Sequence, residues 1–130
     1  MNATILLIED NEQNRYLATF LLERNGYKVV SAVDGLRGMH EARILLPDLI
    51  LLDIQMPGMD GYTVARNLRQ IESLRLTPVV AVTSYAMAGD RGKALAAGCN
   101  GYIEKPINPD TFLAEIAGFL LPSPQPRAPA

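Results

Sequence analysis

Leu49-Ile50-Leu51-Leu52-Asp53-Ile54-Gln55-Met56-Pro57-Gly58-Met59-Asp60-Gly61 is the most informative run of the sequence. Its four leading apolar residues carry no helical spacing and are stopped by an acid and then by turn residues. That pattern fits a strand apolar on both faces, lying inside a parallel sheet covered by helices. Ile5 to Ile8 and Val79 to Val82 have the same form, and Lys28 to Ala32 and Gly101 to Ile103 are weaker strand candidates. Between these runs the apolar residues return at helical period: Tyr16, Leu17, Phe20 and Leu21; then Val64, Ala65, Leu68 and Ile71; then Phe112, Leu113, Ile116, Phe119 and Leu120. Each set predicts one buried stripe. A second helix, about Gly35 to Leu45, and a fourth, about Ala88 to Ala97, are weaker because Gly35, Gly38, Gly89 and Gly92 lower helix propensity. Stops fall at Asn25-Gly26, Pro47 and Ala97-Gly98.

Strand then helix, five times over, predicts a right-handed parallel α/β sheet with helices on both faces. The chain has 130 residues, enough for a single core. With 48% hydrophobic and 20% charged residues, it has the composition of an ordinary globular domain. Twelve Lys and Arg against fourteen Asp and Glu give a net charge of -2, no footprint for nucleic acid. Apolar stretches of four or five residues are far short of a membrane span, and no basic segment precedes an apolar one at the start, so a cytoplasmic location is expected. The single cysteine, Cys99, has no partner for a disulfide or a zinc site and reads as a small buried hydrophobe. Residues 1–121 are expected to form the domain. Residues 122–130, Pro-Ser-Pro-Gln-Pro-Arg-Ala-Pro-Ala, read as a disordered proline-rich tail or a linker stub. Met1 reads as a natural start, and the tail leaves no room for an output domain.

In open α/β sheets the working residues collect beyond the carboxyl ends of the strands. There the sequence places Glu9-Asp10, Asp53, Thr83-Ser84 and Glu104-Lys105-Pro106. Among them Glu9, Asp10 and Asp53 are three carboxylates that repel one another, and a hard divalent ion such as Mg²⁺ with a phosphate relieves that repulsion.

This arrangement resembles the receiver domain of bacterial response regulators, the CheY-like phospho-accepting half of two-component signalling. The resemblance covers roughly residues 3 to 121. It rests on Ile8-Glu9-Asp10-Asn11, on Leu52-Asp53 through Asp60-Gly61, on Val82-Thr83-Ser84 and on Tyr102-Ile103-Glu104-Lys105-Pro106, all in order at strand ends. It is similar in particular to single-domain DivK-like regulators and to the receivers of hybrid kinases. It implies a flavodoxin-like (βα)5 fold, a doubly wound five-stranded sheet in the order 2-1-3-4-5.

The resemblance also implies roles. Asp53 is the nucleophile that takes a phosphoryl group from a phosphohistidine. Mg²⁺ is held by Asp10, Asp53, the Gln55 backbone carbonyl and Glu9, the last directly or through water. Lys105 and Thr83 contact the phosphoryl oxygens, Tyr102 turns inward when Thr83 moves, and a cis peptide precedes Pro106. Some positions depart from the commonest pattern: Glu9 is one methylene longer than the usual Asp, and Gln55, Ser84 and Tyr85 flank the path of a hydrolytic water. His40 falls in the second helix, away from the rim, and reads as a surface residue.

Other readings lack a residue they need. A haloacid-dehalogenase-like phosphatase requires an acid at position 55, where Gln55 cannot shuttle a proton. An FMN carrier requires a phosphate-cradling loop where Glu9-Asp10 would repel phosphate. No Walker loop or Gly-x-Gly-x-x-Gly run is present. The expectation is therefore a non-enzymatic, single-domain response regulator. It is phosphorylated on Asp53 by a sensor histidine kinase or histidine phosphotransfer protein and switches protein partners through the face of its fourth helix, fifth strand and fifth helix. The alternative is a relay module of a larger or hybrid kinase system, which Ala86-Met87-x-Gly89-Asp90 and Lys105-Pro106-Ile107 resemble.

Overall fold

A computed structural model describes residues 3–56, 58–84 and 90–120. Five strands, β1 (Thr4–Ile8), β2 (Lys28–Ala32), β3 (Leu49–Asp53), β4 (Val79–Thr83) and β5 (Gly101–Glu104), alternate with five helices, α1 (Glu12–Arg24), α2 (Gly35–Leu45), α3 (Gly61–Arg69), α4 (Asp90–Ala96) and α5 (Pro109–Leu120). The strands pair in parallel in the order β2-β1-β3-β4-β5, as expected of a flavodoxin-like sheet.

Strand side chains alternate between faces with period 2, and that alternation divides the core. Leu6, Ile8, Ile50, Leu52, Val79 and Ala81 pack with Met39 and Ala42 of α2, Val64, Ala65 and Leu68 of α3, and Ala94 of α4. Their neighbours Ile5, Leu7, Leu49, Leu51, Val80, Val82 and Ile103 pack with Ala18 and Leu22 of α1 and Phe112 and Ile116 of α5. The central strands β3 and β4 are buried throughout, which is why they read as continuous apolar runs. Cys99 is buried as expected, and burial raises its thiol to about 11.

The helices that start beside the rim are capped by their own sequence. Asn11, Asp34 and Asp60 accept from the backbone N-H three residues on, at 2.9, 2.9 and 3.0 Å. At the end of α2, Leu46 takes a left-handed conformation with φ 49° before Pro47.

Some expectations need correction. In α1 the buried residues are Ala18 and Leu22, whereas Tyr16 is 71% and Phe20 44% exposed. Two apolar stripes run side by side on this helix, and the one carrying small Ala18 lies against the sheet. The other forms an outer i, i+4 pair, with stacked rings 6.2 Å apart and the Arg24 guanidinium over Phe20. Ile71 lies past the end of α3 and leads into a 3-10 turn, Glu72–Leu74, whose Leu74 is buried. Asp53 and Thr83 are the last residues of their strands rather than the first beyond them. The expected tail at 122–130, and Tyr85, Ala86, Met87, Ala88 and Gly89, lie outside the described residues.

Candidate functional site

The carboxyl ends of β1, β3, β4 and β5 bring Glu9, Asp10, Asp53, Thr83 and Lys105 to one rim. Glu9 and Asp53 are 4% and 2% exposed, an unusual burial for two like charges, while Asp10 is exposed. The Lys105 ammonium answers them, with Nζ 3.0 Å from Glu9 Oε1 and 3.3 Å from Asp53 Oδ1. The Lys105-Pro106 peptide is cis.

Each acid is held by the backbone around it. The Asn11 N-H donates to Glu9 Oε2 at 3.2 Å, and the Gln55 N-H donates to Asp53 Oδ1 at 3.1 Å. Gly61 is what allows α3 to start against the end of β3. A Cβ there would lie 2.5 Å from Ile54 Cα and 2.7 Å from the Asp53 carbonyl oxygen, and the Gly61 N-H instead donates to Ile54 O at 3.1 Å.

The Asp53 carboxyl is raised from 3.8 to about 7. Burial is the largest cause and the Glu9 carboxylate the second, opposed by Lys105 and by the Gln55 N-H. One ammonium does not satisfy the charge gathered here.

One oxygen from each of Glu9, Asp10 and Asp53 lies within 4.8 Å of the other two. In an octahedron with Mg-O near 2.1 Å, cis oxygens are about 3.0 Å apart and trans oxygens about 4.2 Å, so three oxygens within 4.8 Å of one another are on the scale of one Mg²⁺ coordination sphere. The donor set is all hard oxygen, as that ion requires.

Two features were missed at the level of sequence. Arg15, on the first turn of α1, donates from Nη1 to the carbonyls of Glu9 and Asp10 at 3.0 and 3.1 Å, pinning the acidic pair. Its place four residues after the Asn11 cap, on the helix face above the rim, is the signal that could have found it. The other is the reach of the Gln55 side chain, which the sequence places beside the water path and shows not to be an acid but does not join to a partner. Its Nε2 donates to Thr83 Oγ1, and its Oε1 accepts from the Ser84 N-H at 3.0 Å and lies 3.4 Å from Ser84 Oγ. Tyr102 is half-buried and packs against the core, while His40 is exposed on α2 and is not part of the Glu9, Asp10 and Asp53 cluster.

Residues 5–117 match the response regulator receiver domain family. The chain belongs to that family. The receiver is 41% identical over 120 residues to the polar-differentiation response regulator DivK of Brucella ovis, a match covering 92% of this chain and 98% of the relative. Among solved structures it is similar to chemotaxis protein CheY4 of Vibrio cholerae, with TM-score 0.88 and 28% identity over 92% of this chain and all of that one. It is also similar to the receiver domain of sensor histidine kinase PA1611 of Pseudomonas aeruginosa, with TM-score 0.85 and 33% identity over 92% and 98% of the two chains. That structure has a magnesium ion coordinated in its active site cleft. Receiver domains are signalling modules that interact with histidine kinases or phosphotransfer proteins and bind Mg²⁺ at an acidic pocket. Among the described residues no helix of this receiver is long and apolar enough to cross a membrane.

Proposed function

We propose that this receiver accepts a phosphoryl group on Asp53 from the phosphohistidine of a sensor histidine kinase or a histidine phosphotransfer protein, and that phosphorylation switches its protein partners. The observation that carries this reading is a carboxylate only 2% exposed, with an ammonium at 3.3 Å and two further carboxylates beside it. In the reaction an Asp53 carboxylate oxygen attacks phosphorus. The O-P bond forms as the P-N bond breaks, and the donor imidazole leaves with the electron pair and takes up a proton.

The receiver's own residues orient and neutralise. The Gln55 N-H holds one Asp53 oxygen, Lys105 passes from the carboxylates to a phosphoryl oxygen, and the Thr83 hydroxyl donates to another. Glu9, Asp10, Asp53 and the Gln55 carbonyl would hold Mg²⁺, which when bound cancels charge between the two anions and polarises the phosphoryl group.

Output follows from Thr83. As its hydroxyl moves to the phosphate, Tyr102 turns into the space left behind, changing the face made by α4, β5 and α5. That face carries a groove of about 400 Å³ lined by residues that include Arg91, Tyr102, Glu115 and Phe119, with Glu104 and Asn108 exposed on the same side. Tyr85 and Met87, also expected there, lie outside the described residues. The receiver is read as residues 1–121 with a tail at 122–130, working in the cytoplasm where kinases form phosphohistidine from ATP.

Likeness to a receiver of a sensor histidine kinase supports a second reading, a relay intermediate between two histidines. Short-time phosphotransfer profiling against the histidine kinases and phosphotransfer proteins of the same organism tests both. A kinetic preference for one donor is expected, with return of the phosphoryl group to a second histidine marking the relay. Absence of transfer from every donor contradicts the proposal.

A further inference from the structure

Gln55 is the residue that joins the phosphorylation strand to the switch strand. Its backbone N-H is on Asp53 Oδ1 at 3.1 Å, and its side-chain amide crosses from the end of β3 to the end of β4. The orientation of that amide follows from chemistry. The backbone N-H of Ser84 can only donate, so the atom it meets at 3.0 Å is Oε1, and the other end of the amide is the donor to Thr83 Oγ1. Thr83 is 1% exposed, so its hydroxyl is held in a site that water does not reach. One half-buried side chain thus restrains both the last residue of β4 and the first residue after it.

We propose that the Gln55 amide is a positioning latch that holds Thr83 and Ser84 in the resting arrangement and is released when Asp53 is phosphorylated. The inference rests on the proposed reading of Asp53 as phosphoacceptor, and it deepens that reading by naming what sets the resting state. The latch acts on an equilibrium. Whatever bonds it makes only in the resting form must be broken, or exchanged for bonds to the phosphoryl group, as Thr83 moves. A receiver lacking the amide therefore reaches the activated arrangement more readily. Gln55 acts here through Thr83 and Ser84, and its amide is distinct from the metal-facing carbonyl of the same residue.

Beryllofluoride with Mg²⁺ is the probe, with amide NMR spectra as the readout, because a purely structural role for Gln55 would not move resonances toward the activated state. In Gln55→Leu without beryllofluoride, the Thr83 and Ser84 cross-peaks are expected to shift along the line joining the resting and beryllofluoride-bound wild-type positions. Beryllofluoride affinity should rise about five-fold, the value of one net hydrogen bond. Gln55→Asn keeps the amide but shortens its reach by one methylene, and gives a smaller shift in the same direction. Far-UV circular dichroism establishes that both variants are folded; if Gln55→Leu is not, the Asn variant alone decides. Cross-peaks at resting wild-type positions in the folded variants, or an affinity unchanged or weakened, would overturn the latch. Failure of wild-type protein to bind beryllofluoride would instead overturn the reading of Asp53 on which the latch rests.

Discussion

Lys105 Nζ stands 3.3 Å from Asp53 Oδ1, yet the Asp53 carboxyl is still raised to about 7. Burial and the Glu9 carboxylate outweigh the one ammonium, so the rim has an excess of negative charge whenever Asp53 is ionised.

This excess makes stability pH-dependent in a known direction. The folded state holds the Asp53 proton more tightly than the unfolded chain, whose carboxyl titrates near 3.8. The stabilisation from that proton is complete below the unfolded value and lost as pH rises through about 7. In EDTA, Asp53→Asn should therefore gain stability over wild type as pH increases from 5 to 8, by on the order of 2–4 kcal/mol. Paired thermal melts across that range measure it, and a difference independent of pH would contradict the electrostatic account.

A divalent ion should act in the opposite sense. Millimolar Mg²⁺ is expected to raise the melting temperature of wild type at pH 8 more than at pH 6, because the ion competes with the Asp53 proton. Glu9→Gln should narrow that difference, since after burial the Glu9 carboxylate is the next largest cause that raises Asp53. Calorimetry with Mg²⁺ at the two pH values provides the check.

Glu9, Asp10, Asp53 and Thr83 are legible in the sequence for one reason: each lies at the end of a strand apolar on both faces. Leu49 to Leu52 can only be buried, so Asp53 must emerge at the sheet's end. The strand order was not available from periodicity, which is blind to which strands are neighbours, and came with the family resemblance. Helical period points Tyr16 and Phe20 inward, but period alone does not say which of two adjacent stripes meets the sheet. The stripe that meets the sheet is the one carrying Ala18 and Leu22. The Gln55 bridge to Thr83 was invisible because it joins residues 28 positions apart through a freely rotating side chain.

Close approach at Gly61 gives a third prediction. Gly61→Ala places a methyl group against Ile54 Cα and the Asp53 carbonyl, both backbone atoms that cannot swing aside. The expected cost is about 1–3 kcal/mol of stability, with slower phosphorylation because the β3–α3 connection moves with Asp53. Chemical denaturation and acetyl phosphate labelling test the two effects separately.

Far from the rim, Arg69 ties the opposite end of the sheet together. Its guanidinium donates to the carbonyls of Gly98, Leu74, Arg75 and Thr77 at 2.8 to 3.2 Å, and to Asn100 Oδ1. Asn100 Oδ1 in turn accepts from the Val79 N-H at the start of β4. Arg69→Ala should lower stability by about 2–4 kcal/mol while leaving the rate of Asp53 phosphorylation in folded protein unchanged. An equal loss of labelling rate at a temperature where the variant is fully folded would show that the network reaches the rim.

Asp53 alone is expected to take the phosphoryl group, and locating the label tests this. After reaction with acetyl phosphate and Mg²⁺, borohydride reduction of the acyl phosphate and peptide mapping should mark Asp53 and no other residue. Asp53→Asn, folded by circular dichroism, should carry no label. Full labelling of that variant, or a reduced residue elsewhere in wild type, would contradict the account.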